Sequence, residues 1–165
     1  MTKPFGLIIP GQPATKKNGA TMIKHRACLL PSPAYRAYEK EARDKINLLR
    51  STHRIPHYTM PVKLTCQYWL KDRAHWPDLV GLMQATADII SDEYKTIKNK
   101  RVMVCPWILS DDRIITSWDG TRIAGIDKTR PRVEIVITPL AVGMDEALDP
   151  YVRKQIKQGQ AQSLF

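Results

Sequence analysis

The spacing of hydrophobic and polar positions changes several times along this 165-residue chain, and each change predicts an element. Residues 5–9 form a short apolar run that ends at Pro10-Gly11, which reads as a first strand. The basic, turn-rich segment GQPATKKNGA follows, then a second strand over about 21–30, stopped by Pro31-Ser32-Pro33. Ser32 is placed to cap a helix with Pro33 at its first position. Tyr35, Tyr38, Ala42, Ile46 and Leu49 then recur every three or four residues and predict an amphipathic helix over 33–49, with Arg36, Lys40, Arg43 and Asp44 on its solvated side. After a loop at 51–61, Val62, Leu64, Cys66 and Tyr68 alternate with Lys63, Thr65, Gln67 and Trp69, the pattern of a half-buried strand. Residues 71–76 lead into a second helix over 77–91, with Leu79, Leu82, Met83, Thr86, Ile89 and Ile90 on its buried side. Residues 92–108 are lysine-rich and irregular, and read as an inserted loop or short helical excursion. Strands are predicted at 114–118 and 132–138, with a turn at Asp119-Gly120.

The pattern predicts a mixed α/β (α+β) domain over residues 1–140, built on a mixed sheet and two main helices. Residues 141–165 form a C-terminal extension, with a candidate helix over 144–157 and a polar tail read as disordered. No internal repeat is visible. Hydrophobic residues make up 43% of the chain and charged residues 25%, which is ordinary for a globular protein. No apolar run is long enough to span a bilayer, and the N-terminal apolar patch is too short for a signal-peptide core. Cys28, Cys66 and Cys105 form no CxxC pair and are expected as buried thiols in a reducing cytoplasm. The four histidines form no zinc signature, and Pro56 separates His53 from His57.

Charge narrows the function. The formal net charge is +10, which favours a polyanionic partner, with nucleic acid the first candidate. The basic residues are spread out and no basic amphipathic anchor is evident, so an anionic membrane fits less well. Within this basic chain, Asp78 stands at the start of the second predicted helix, and Asp111-Asp112 at the start of a predicted strand. Carboxylates repel phosphate unless a divalent cation lies between them. Mg²⁺ takes oxygen ligands, commonly one or two carboxylates plus waters and substrate phosphate oxygens. The acids therefore point to metal-assisted phosphodiester hydrolysis, with no small-molecule cofactor. The plainer alternatives are a helix-capping role for Asp78 and a turn role for Asp112. Asp88 lies ten positions beyond Asp78, about 15 Å along a helix and on another face, too far to share an ion with it. Asp92 suits a capping or surface role. Adjacent residues on a regular strand point to opposite faces, so only one of Asp111 and Asp112 need serve a metal.

Three segments occur in order over roughly residues 5–140: IIPGQPATKKNG, then LPSPAYRAYEKEA, then PDLVGLMQATADIISD with SDDRII and the closing RVEIVIT. Together they resemble the RusA-type Holliday junction resolvases, especially the phage-borne branch. The resemblance implies a homodimer that makes paired, Mg²⁺-dependent cuts across a four-way DNA junction. It places the family's first acid on Asp78 and the later one on Asp112, with Asp111 beside it and Gly81 at the family's Asn or Gly position. Two positions depart from the family pattern. Val80 replaces a second acid, and Gln84 replaces a basic residue one helical turn further on.

Lys16 and Lys17, with Asn18 in a turn-rich loop, are candidate phosphate contacts, and Lys24 and Arg26 form a second basic cluster around His25. Trp76 directly precedes Pro77-Asp78 and could stack on an unpaired base or wedge the junction open, or else pack on the 62–69 strand. Lys95, Lys98, Lys100 and Arg101 read as a solvated loop that could face DNA. The expectation is a cytoplasmic, homodimeric junction endonuclease with Asp78, Asp112 and Asp111 at its metal. The alternatives are a catalytically impaired junction-binding homologue and a general basic nucleic-acid-binding domain.

Overall fold

The computed structural model describes residues 3–16, 21–22, 29–74, 76–140, 149–151, 153, 154 and 157. Its elements in chain order are β1 (Phe5–Pro10), β2 (Thr21–Met22), β3 (Leu29–Leu30), α1 (Pro33–Thr52), β4 (Val62–Leu70), α2 (Leu79–Ile90), β5 (Glu93–Ile97), β6 (Lys100–Cys105), β7 (Ile115–Ser117), β8 (Arg122–Ile126) and β9 (Arg132–Pro139). A single 3₁₀ turn, Asp112–Ile114, precedes β7. Five strands form one mixed sheet in the order β1-β9-β4-β7, with β8 also paired to β4. The pairings of β9 with β1 and β4 are antiparallel, while β7 and β8 run parallel to β4. This is the mixed α/β class that the residue pattern predicts. Among the described residues no helix is long and apolar enough to cross a membrane.

Strand register builds the core. Leu7 and Ile9 pair with Ile135 and Val133, and Cys66 and Tyr68 pair with the same two residues from the other side of β9. Side chains on one pleat face therefore form a continuous apolar surface across three strands. Tyr35, Tyr38, Ala42 and Ile46 of α1 and Leu82, Ala85, Ile89 and Ile90 of α2 bury against it. Thr86 donates to the Leu82 carbonyl at 2.9 Å, so the buried Tyr68 hydroxyl donates to Thr86 at 2.7 Å and ties α2 to β4. Burial pushes the Tyr38 phenol and the Cys66 thiol up, the latter to about 12, so Cys66 is an inert core thiol.

Capping follows the sequence. The Ser32 hydroxyl accepts from the Tyr35 amide at 3.1 Å, with Pro33 at the helix start. Several expectations need correction. The strand expected over 21–30 is instead a short antiparallel pair, β2 with β3. The lysine-rich 92–108 stretch is neither loop nor helix through most of its length, but the β5–β6 hairpin. Its charged residues line exposed strand positions, and its turn uses Lys98 and Asn99 at positive φ (50° and 60°) rather than a glycine, so the usual hairpin signal is missing. Asp92, expected in a capping or surface role, is buried, accepting from the Trp107 amide at 2.6 Å and pairing with His57 at 2.9 Å. Finally, Asp111 and Asp112 do not start a strand, as described below. The candidate helix over 144–157 lies mostly outside the described residues.

Candidate functional site

Asp78 is the N-cap of α2. Its Oδ2 accepts from the Gly81 amide at 2.8 Å, an interaction that satisfies one of the free N–H groups at a helix start. Gly81 is required for that approach: a Cβ there would lie 2.7 Å from Asp78 Oδ1 and 3.1 Å from Thr15 Cγ2. Gly81→Ala should therefore displace the cap and lower stability by about 1–2 kcal/mol, read as a fall in Tm. An unchanged Tm would show that the cap tolerates the displacement. Val80, where the resemblance expects an acid, is 71% exposed on the first turn, and Gln84 is exposed one turn on.

The other acids form a corner between the end of α2 and the start of β7. Asp111 caps the 3₁₀ turn, its Oδ1 accepting from the Arg113 amide at 3.0 Å. This local bond, reaching two residues along, bends the backbone that an extended strand would need. Asp111 Oδ2 accepts from Arg101 at 2.9 Å, and the residue is buried. Burial pushes the Asp111 carboxyl up, but bonds from Asp112, the Arg113 amide and Arg101 outweigh it and hold the carboxyl below its ordinary range. Asp112 behaves in the opposite way. Partial burial raises its carboxyl, the shared hydrogen bond and charge of Asp111 raise it further, and Asp88 adds to the effect, against a smaller opposing pull from Arg113. Asp112 is thus the member of the pair that holds its proton more tightly, and the one placed to donate to Asp111.

Asp88 is the residue that sequence reasoning set aside. It was measured only against Asp78, from which it stands about 15 Å along the helix axis. In the fold it is the α2 acid whose charge acts on Asp112. Lys16 meets it at 2.7 Å, with the same ammonium 5.6 Å from the centre of the buried Tyr35 ring. Arg101, expected in a solvated loop that could face DNA, instead meets Asp111, because the hairpin brings it there.

The basic candidates divide. Lys16 lies at the acidic corner, while Lys17, Asn18, Lys24 and Arg26 lie outside the described residues. Trp76 is 53% exposed and lines an open groove with Arg73, Gly125 and Ile126, so it does not pack away against β4. On Asp78's other flank a groove runs past Gln12, Thr15, Lys71 and Pro77, and the buried Thr15 hydroxyl has no partner there. Among the described residues no group of three or more His, Cys, Asp or Glu is arranged as a ready ligand set. Mg²⁺ needs fewer, since waters and substrate oxygens complete its shell. The chemistry of the corner fits such an ion: hard carboxylate oxygens, one carboxyl raised by burial and by like charge, and an ammonium already placed against another. No protein-family model and no curated protein sequence matches this chain.

Proposed function

We propose that this protein is a structure-selective endodeoxyribonuclease that cuts four-way DNA junctions by Mg²⁺-dependent phosphodiester hydrolysis, in line with its resemblance to RusA-type resolvases. The observation that carries the reading is the acidic corner: the hydrogen-bonded Asp111-Asp112 pair, with the charge of Asp88 on α2 acting on Asp112, in a chain of net charge +10. When bound, Mg²⁺ supplies charge neutralisation at the scissile phosphate and an activated water. Asp112 would hold the metal, and Asp88, whose charge acts on Asp112, is the partner ligand proposed here, where the resemblance implies Asp78. Asp111 is a positioning residue, since Arg101 and the Arg113 amide already engage both its oxygens. Lys16, which pairs with Asp88 at 2.7 Å, would be the nearby cation for a backbone phosphate, and Trp76 offers its exposed face to an unstacked base. Water adds across one P–O bond, its oxygen going to phosphorus and a proton to the leaving oxygen. A homodimer carries two such sites, which suits symmetric cuts in a two-fold junction.

A labelled four-way junction incubated with protein and Mg²⁺, beside a binding gel in EDTA, tests this. Paired nicks in Mg²⁺ and none in EDTA are expected. Asn caps a helix about as well as Asp, so Asp78→Asn leaves the fold intact. Nicking lost in Asp88→Asn but kept in Asp78→Asn places the second ligand on Asp88, and the reverse result places it on Asp78. The second reading, a junction-binding homologue without cleavage, is favoured by one observation, the exposed Val80 at the position of an acid. Tight junction-selective binding with no nicks at any Mg²⁺ concentration would establish it. Equal affinity for junction and linear duplex would leave a general basic DNA-binding domain.

A further inference from the structure

Only Arg101 of the β5–β6 hairpin serves the site, through Asp111, and the rest of the hairpin presents an exposed surface of mixed lysines and aliphatics. The register pairs Tyr94 with Met103 and Thr96 with Arg101 on one face, and Lys95 with Val102 and Ile97 with Lys100 on the other. The first face is fastened to the body. The Tyr94 hydroxyl donates to the Ser110 carbonyl at 2.8 Å, and Arg101, 3.8 Å from the centre of the Tyr94 ring, donates to Asp111. The second face is exposed, with Ile97 and Val102 open to solvent beside the two lysines. Lys98 extends the charge at the tip, from a left-handed conformation (φ 50°) that disfavours a side chain and suits glycine.

We propose that this outer face is an arm that grips a duplex segment of DNA next to the acidic corner. The inference rests on the proposed nuclease reading only for the identity of the substrate. Charge decides the occupant. Both registered cross-strand pairs on the face join one lysine to one aliphatic residue, with exposed Val104 beyond them, so a second copy docking face to face in matching register would oppose lysine with lysine. A membrane surface calls for a continuous apolar face, which this alternation breaks. A DNA groove accepts both residue types: lysines meet the phosphates and short aliphatics meet sugars and base edges. A two-stranded ribbon fits a major groove about 12 Å wide. Arg101 on the inner face fastens the ribbon at Asp111, so the outer face turns away from the corner and would hold a duplex arm that flanks the site, not the scissile phosphate itself.

The test is Lys95→Thr/Lys98→Gly/Lys100→Thr, which removes three charges while keeping strand-forming residues in the strands and placing glycine where the backbone favours it. Fluorescence anisotropy with a four-way junction and with linear duplex, over a range of salt, gives the readout, with Tm as the check of folding. Expected are affinity at least about tenfold weaker for both DNAs at physiological salt and a salt slope flatter by about 2.7, or 0.9 per lost phosphate contact. Lys98→Gly alone, which cannot strain the turn, should flatten the slope by about 0.9. An unchanged slope in folded variants overturns the proposal. So does a triple variant that loses self-association, or binding to phosphatidylserine vesicles, while DNA affinity stays the same. Wild-type protein that binds DNA through this face without nicking it sinks the nuclease reading and supports the arm. Wild-type protein with no affinity for any DNA overturns both.

Discussion

Asp112→Asn should, under the proposed function, lower junction nicking by at least about a hundredfold, and at the same time raise the Tm of the metal-free protein at neutral pH. Loss of an outer partner of a metal ligand typically costs 10–100-fold, and loss of the ligand itself costs more. The stability gain comes from electrostatics. The fold raises the Asp112 carboxyl, first by partial burial and then through Asp111 and Asp88. A group raised in this way binds its proton more tightly folded than unfolded. Its contribution to stability is present below the unfolded carboxylate range and is lost as pH rises through the folded value. At neutral pH only the repulsion remains, and asparagine removes it while keeping a donor toward Asp111. The gain should shrink as pH falls through the carboxylate range, where wild-type Asp112 is protonated too. Each kcal/mol corresponds to roughly 2–4 °C in a chain of this size.

Asp111 provides the opposite sign from the neighbouring residue. Its carboxyl is held low, so its stabilisation is present at neutral pH and is lost as pH falls through the folded value. Asp111→Asn should therefore lower Tm at neutral pH. Mg²⁺ should raise the Tm of wild type and not of Asp112→Asn, because ligand bound only to the folded state stabilises it by mass action. Thermal scans at several pH values, with and without Mg²⁺, read all of these effects. An Asp112→Asn protein that melts lower than wild type and still nicks DNA would refute the metal assignment and the electrostatic argument together.

What the chain reveals on its own depends on how locally each feature is determined. The period-two run of β4, the stripe of α1 and the Ser32-Pro33 start are local, and the fold keeps them. Asp78 was legible as a cap for the same reason, since its partner amide is three residues away. The acidic corner was only half legible. Asp112 and Asp111 are neighbours in sequence, but Asp88 and Arg101 reach them through the turn after α2 and the hairpin. No spacing rule links residue 88 to residue 112 across an unrecognised β-ribbon. β8 also escaped notice, because a short strand holding Gly125 at φ 155° shows no alternation and gains its pairing from β4.

Arg43 is the clearest case of a residue whose surroundings the helical pattern cannot show, and it carries the largest expected loss of stability. Its position on α1 reads as solvated, yet its side chain is only 17% exposed. The guanidinium pairs with Glu93 at the start of the hairpin and with Glu39 one turn back at 3.4 Å. It also donates to the Asp88 and Ile89 carbonyls at 3.3 and 3.4 Å and lies 5.0 Å from the centre of the Trp107 ring. Those carbonyls belong to the last turn of α2, which has no intrahelical donors for them, so Arg43 caps the end that carries Asp88. Arg43→Met preserves much of the aliphatic stem but leaves two carboxylates and two helix-end carbonyls without their donor. Removing one partner from a largely buried ionic network should cost about 2–4 kcal/mol, or roughly 5–15 °C in Tm. Arg36→Met, on the exposed side of the same helix, should leave Tm nearly unchanged. Under the proposed function, nicking by Arg43→Met should also fall below wild type at temperatures where the variant remains folded, because Asp88 loses its fixed position relative to Asp112. Equal melting of the two variants in a differential scan would mean that the Arg43 network contributes no more than an ordinary surface charge.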